Sequence, residues 1–97
     1  MRIDLSLYEE VKLNENFDLT SINEGNIEEY QTRLNDLISA LNAAAPGEVP
    51  NIAWILCWTV CFNEYLDCLL HNGPGWGYLM CMTRYNHCID NCGPIQA

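Results

Sequence analysis

Basic residues are scarce in this chain: four Lys and Arg stand against thirteen Asp and Glu in ninety-seven residues, a formal charge of −9. A nucleic-acid binder needs a basic stripe to displace counterions from phosphate, so that class is excluded. The same deficit disfavours adsorption to an anionic membrane. Charged residues make up only 18 % of the chain and hydrophobic ones 49 %, a globular profile and not that of a disordered chain. The longest apolar run, Ile52 to Phe62, is too short to span a bilayer and is interrupted by Thr59, so no transmembrane segment is expected. A classical signal peptide is not visible either: Met1 is followed by Arg2, Asp4, Glu9 and Glu10, with no apolar stretch behind a basic start. Cysteine is absent from the first fifty-six residues and then occurs six times.

What is present divides the chain in two. Residues 1–50 hold three basic and ten acidic groups, whereas residues 51–97 hold one and three, with most of the aromatic residues. The join, Ala43-Ala44-Ala45-Pro46-Gly47-Glu48-Val49-Pro50, has two prolines that forbid a continuous helix. It is expected to be a connection at about 45–50 within a single small domain covering 1–97. A domain of this size buries a thin core and often depends on covalent staples.

In the first half, Ile3, Leu5 and Leu7 alternate with Asp4 and Ser6, and Val11 and Leu13 repeat the alternation. That is strand periodicity, so residues 2–19 are expected to form an extended or β-like arm, with a turn at Asn14-Glu15-Asn16. An isolated hairpin is only marginally stable, so Ile3, Leu5, Leu7, Val11 and Leu13 are candidates for adding a strand to a protein partner. Residues 26–44 read as an amphipathic helix. Ile27, Tyr30, Leu34, Leu37, Ile38 and Leu41 form one apolar stripe, and Asn26 with Glu29 resembles a capping box.

The gaps between Cys57, Cys61, Cys68, Cys81, Cys88 and Cys92 are 3, 6, 12, 6 and 3 residues, an order that reads the same in both directions. Its centre falls between Pro74 and Gly75, inside His71-Asn72-Gly73-Pro74-Gly75-Trp76-Gly77, the strongest chain reversal in the sequence. Positions i, i+4 and i+11 lie within about 40° of one another on a helix. Cys57, Cys61 and Cys68 therefore share a line on a helix of about 51–70, and Cys81, Cys88 and Cys92 share one on a helix of about 78–92. Run antiparallel, the lines meet as three rungs. Of fifteen possible pairings, only Cys57–Cys92, Cys61–Cys88 and Cys68–Cys81 matches both the symmetry and the helical phase.

The same phases place Trp54, Trp58, Tyr65 and Leu69 of the first helix, and Tyr78, Tyr85 and Ile89 of the second, on one side of the pair as an apolar floor. The stripe of 26–44 is the natural cover for it. Glu64, Asp67, Arg84, His87 and Asn91 fall toward water. The expected fold is mainly α: a disulfide-stapled antiparallel hairpin under a third helix, with the N-terminal arm beside it.

A helical hairpin stapled in this way resembles the coiled-coil-helix–coiled-coil-helix proteins and the small translocase chaperones of the mitochondrial intermembrane space. It is also similar to plant α-hairpinin peptides. Cys57-x3-Cys61 and Cys88-x3-Cys92 correspond to the twin CX3C pairs of the last two groups. Here twenty-six residues separate the pairs and Cys68 with Cys81 adds a third rung, both departures from those families. The likeness covers about residues 51–92, and it implies an architecture rather than a function.

Chemistry is sparse. A four-thiolate Zn²⁺ or Cu(I) site from Cys57, Cys61, Cys88 and Cys92 is the main alternative to disulfides. A redox C-x-x-C is absent, and no catalytic signature, cofactor motif or small-molecule substrate is evident. The expected function is a non-enzymatic structural or interaction protein, stiffened by disulfides, that assembles with itself or a protein partner. The alternative is a precursor whose acidic leader precedes an exported Cys-rich peptide. Phe17-Asp18-Leu19 is similar to the box of lanthipeptide leaders, although the segment after residue 50 has only Thr59 and Thr83 and no serine. Disulfides imply an oxidising or extracellular location.

Overall fold

The computed structural model describes residues 3–72 and 76–94; the chain reversal expected at 73–75 lies outside the described residues, as do Met1 and Arg2. Its helices are α1 (Ser6–Tyr8), continued without a break as a π-helical turn (Glu9–Leu13), α2 (Ile27–Asn42), α3 (Ile52–Asn72) and α4 (Trp76–Asn91). A 3₁₀ turn at Leu19–Ser21 joins the N-terminal segment to α2. No strand occurs among the described residues.

The central pair is α3 and α4, antiparallel and joined by three disulfides, with α2 packed on α3 and α1 on α2. Trp58, Phe62, Leu66 and Tyr65 of α3 meet Leu34, Leu37 and Leu41 of α2 and Tyr85 of α4 in one apolar centre. Trp58 and Phe62 stack at 5.1 Å between ring centroids, and the Tyr8 ring meets Trp58 edge-on at 5.3 Å. Helix α3 is long and apolar enough to cross a membrane, with a mean hydropathy of 1.2 over its best window, half of which is buried. Burial against α2 and α4 is an ordinary reason for such a helix.

The arm at 2–19 requires a correction. Leu7, Tyr8 and Val11 lie at i, i+1 and i+4 and are buried together, which is helical rather than strand geometry. The Asp4 carboxylate accepts the Ser6 amide at 2.9 Å, satisfying one of the orphan donors at the start of α1. Glu9 and Glu10 then sit in the first turn of the π-helical segment and Lys12 in its last, the arrangement a helix dipole favours. The alternation of Ile3, Leu5 and Leu7 competes with this pattern over three positions only. Packing of Leu7 and Val11 against the core decides it.

The capping box at α2 also differs. Asn26 occupies the cap position without bonding the helix amides. Its side chain instead accepts the Asn23 amide at 2.8 Å and donates to the Ser21 carbonyl at 3.0 Å, tying the 3₁₀ turn to the start of α2. At Asn14-Glu15-Asn16 the chain does turn, closed by a bond from the Phe17 amide to the Asn14 carbonyl at 3.1 Å.

Two positive φ angles frame the hairpin. Asn51, at φ 59°, turns the chain into α3, and Gly93, at φ 79°, ends α4 as an αL cap. Gly77 answers to proximity instead: a Cβ there would lie 2.8 Å from the Asn72 carbonyl oxygen, so only glycine lets α4 start this close to the end of α3.

Candidate functional site

The feature with distinctive chemistry is the disulfide seam between α3 and α4. Its bonds are Cys57–Cys92, Cys61–Cys88 and Cys68–Cys81, with Cα separations of 5.9, 5.6 and 5.7 Å. These nearly equal spacings keep two helices parallel to the seam over its whole length, and such separations are ordinary for a disulfide. Cys61 and Cys81 are fully buried, one in the middle rung and one in the inner rung; Cys57 and Cys92, which form the outer rung, are both partly exposed. The outer and middle rungs touch, with Cys61 Sγ and Cys92 Sγ 3.8 Å apart.

On one flank of the seam is the aromatic floor. Trp54, Trp58, Tyr65, Leu69 and Tyr85 are buried, and Tyr78 and Ile89 are half-buried against the same core. Every polar end on this floor finds a partner. Trp58 Nε1 donates to the Tyr85 hydroxyl at 2.8 Å, and Trp54 Nε1 donates to the Gly93 carbonyl at 2.7 Å. The Tyr65 hydroxyl donates to the Leu19 carbonyl at 3.2 Å, and the Tyr78 hydroxyl donates to the Ile22 carbonyl. The first half of the chain is thus pinned to the hairpin by hydroxyls as well as by apolar contact. Burial pushes the Tyr85 hydroxyl up to about 12 and raises Tyr65 as well. Among the described residues, no buried side-chain polar atom lacks a partner.

Along the seam runs an open groove of about 360 Å³ lined by Cys61, Glu64, Asp67, Cys68, His71, Asn72 and Arg84 together with Tyr65 and Tyr85 of the floor. His71 Nδ1 lies 2.7 Å from the Asp67 carbonyl, and Asn72 Nδ2 donates to the Cys68 carbonyl at 2.9 Å. These contacts tie off the end of α3. Glu64, Asp67, Arg84, His87 and Asn91 are all exposed. A smaller hollow of about 250 Å³ sits over the outer rung, lined by Asn51, Ala53, Trp54, Cys57, Cys92 and Pro94.

The five apolar residues proposed for strand addition are dispersed rather than gathered into a binding edge. Leu7 and Val11 are buried, Ile3 and Leu5 are half-buried against the same core, and Leu13 is exposed. All but Leu13 are folded onto the chain itself. Phe62 and Ile22, both fully buried, are core residues that the cysteine phase did not single out. Phe62 lies about 100° from Cys61 on α3, a signal present in the sequence. Ile22 carries none, because its burial depends on where the loop before α2 lands.

For metal, the Sγ atoms of Cys57, Cys61 and Cys92 lie within 4.8 Å of one another. All three are in disulfides, and a disulfide sulfur has no thiolate to offer a cation. The donor set belongs to a reduced chain. Comparison with protein-family models, with curated proteins and with solved structures returned no match.

Proposed function

We propose that this chain is a non-enzymatic structural protein, a covalently stiffened helical scaffold that assembles with a second copy of itself. The observation that carries this reading is the state of α3. Half of its most apolar window is not fully buried, and an apolar stripe on a helix normally finds cover. Ile52, Leu56 and Val60, at i, i+4 and i+8, form a row beside the cysteine line; the first two are half-buried against the core and Val60 is 55 % exposed. The charge distribution agrees, because the acidic excess is concentrated before residue 51 and the hairpin half is nearly neutral. Two copies therefore meet across this row with little repulsion. Three disulfides hold the presenting helix in place, so little order is lost on docking. They also suit an oxidising or exported setting.

The leader-and-peptide alternative is weakened by the core. Ile22, Leu34 and Leu41 are fully buried against the hairpin, and their removal would uncover Trp58 and Phe62. Sedimentation velocity of the oxidised full chain at about 100 µM tests the proposal, since it reads self-association with a Kd at or below about that concentration. A dimer or higher assembly is expected, reverting to monomer in Val60→Glu with helicity and disulfides intact. A monomeric wild type at this concentration overturns it.

A further inference from the structure

The outer end of the seam combines three features: an accessible disulfide, a hollow that leads to it, and a second disulfide in contact with it. Cys57–Cys92 is the rung whose two residues are both partly exposed, and the hollow between Asn51, Trp54 and Pro94 opens onto its sulfurs. Behind it Cys61 is fully buried, so solvent thiols do not reach that sulfur directly. Cys92 Sγ does: it lies 3.8 Å from Cys61 Sγ, and closing that gap to a bonding distance of about 2.0 Å requires a shift smaller than a rotamer change. The inner rung has no such neighbour. Cys68 is seven residues along α3 from Cys61, about 10 Å of helix rise.

We infer that the outer two rungs form a thiol–disulfide exchange relay, in which a low-molecular-weight thiol reduces Cys57–Cys92 and the electron pair passes inward to Cys61–Cys88. In the first step an external thiolate attacks Cys57 Sγ, the Cys57–Cys92 bond breaks, and Cys92 leaves as a thiolate. A second external thiolate attacks the outer sulfur of the mixed disulfide, releasing Cys57 and an oxidised external disulfide. The Cys92 thiolate then attacks Cys61 Sγ. A Cys61–Cys92 bond forms, the Cys61–Cys88 bond breaks, and Cys88 takes the electron pair and a proton. Overall two external thiols become one disulfide and one protein disulfide becomes two thiols. The buried sulfur of Cys61 never meets solvent. The inner rung, Cys68–Cys81, stays closed and holds the hairpin together while the outer rungs exchange.

The test is disulfide mapping on the full chain. Cys57→Ser leaves Cys92 as a thiol beside an intact Cys61–Cys88. Under non-denaturing conditions at pH about 8, near the thiol's ordinary range, label from a rapid alkylating agent is expected on both Cys88 and Cys92, with a Cys61–Cys92 linkage recovered. Label confined to Cys92 overturns the relay. So does label on Cys68 or Cys81, which would mean scrambling through the unfolded chain. In Cys81→Ser the label is expected to stay on Cys68 alone, and its spread to other cysteines counts against the proposal. Wild type treated with one equivalent of dithiothreitol and quenched provides the same readout without substitution: Cys61–Cys92 in the species lacking one disulfide supports the relay, and Cys61–Cys88 intact throughout overturns it.

Discussion

The hydroxyl of Tyr85 accepts a hydrogen bond from the Trp58 indole at 2.8 Å, and both residues are buried. Neither group has water as a fallback, so the pair is worth more to keep than to form. Tyr85→Phe leaves the Trp58 N–H orphaned and is expected to cost about 1–3 kcal/mol, read from guanidinium unfolding without reductant. An unchanged midpoint would show that the indole finds another acceptor. Helical phase alone puts Trp58 and Tyr85 on the same side of the hairpin, but phase does not reveal that one ends where the other begins. The same holds for Trp54, whose partner is a backbone carbonyl beyond the end of α4.

At the level of elements, the N-terminal segment shows why a short alternation is a weak signal. Three apolar residues spaced by two suit a strand, but Leu7 and Val11 spaced by four suit a helix equally well, and α2 and α3 provide the surface that chooses. Substitutions separate the two geometries. Leu7→Ala, at a residue 3 % exposed, is expected to lower stability by about 2–3 kcal/mol. Leu13→Ala, at a residue 51 % exposed, is expected to stay within about 0.5 kcal/mol of wild type. Equal effects at the two positions would return the segment to an extended arm. The ion pair between Arg33 and Glu10, 2.7 Å apart and partly exposed, adds little to this docking.

The whole molecule carries a prediction about pH. Burial holds the Tyr85 proton up to about 12 and raises Tyr65 too, against about 10 in an unfolded chain. The folded state binds these protons more tightly than the unfolded state. Their contribution is therefore complete below pH about 10 and is lost as pH rises toward the folded values, about 12 for Tyr85. Unfolding free energies from denaturant titration are expected to hold steady from pH 8 to about 10 and then fall by up to about 1.4 kcal/mol per pH unit for each tyrosine. A midpoint that falls evenly from pH 8 upward would mean the hydroxyls are not protected. The innermost disulfide, closing thirteen residues of sequence separation, adds about 3 kcal/mol through the entropy of the unfolded chain.

The hairpin is legible in the sequence because cysteine spacing and helical phase are local, periodic properties. The gaps of 3, 6, 12, 6 and 3 residues express an antiparallel register directly. The stripe of α2 was legible for the same reason, and its observed bounds, Ile27–Asn42, fall inside the expected 26–44. Three things were decided only by tertiary structure. The N-terminal segment became helical because its burial, not its alternation, had the larger free energy at stake. Asn26 bonded Asn23 and Ser21 instead of capping α2, since the loop brought those groups nearer. The 3.8 Å approach of Cys92 to Cys61 arose because α4 ends at its αL glycine beside the first turns of α3. Periodicity determines which faces meet; only the packed chain determines how closely two atoms on those faces come together.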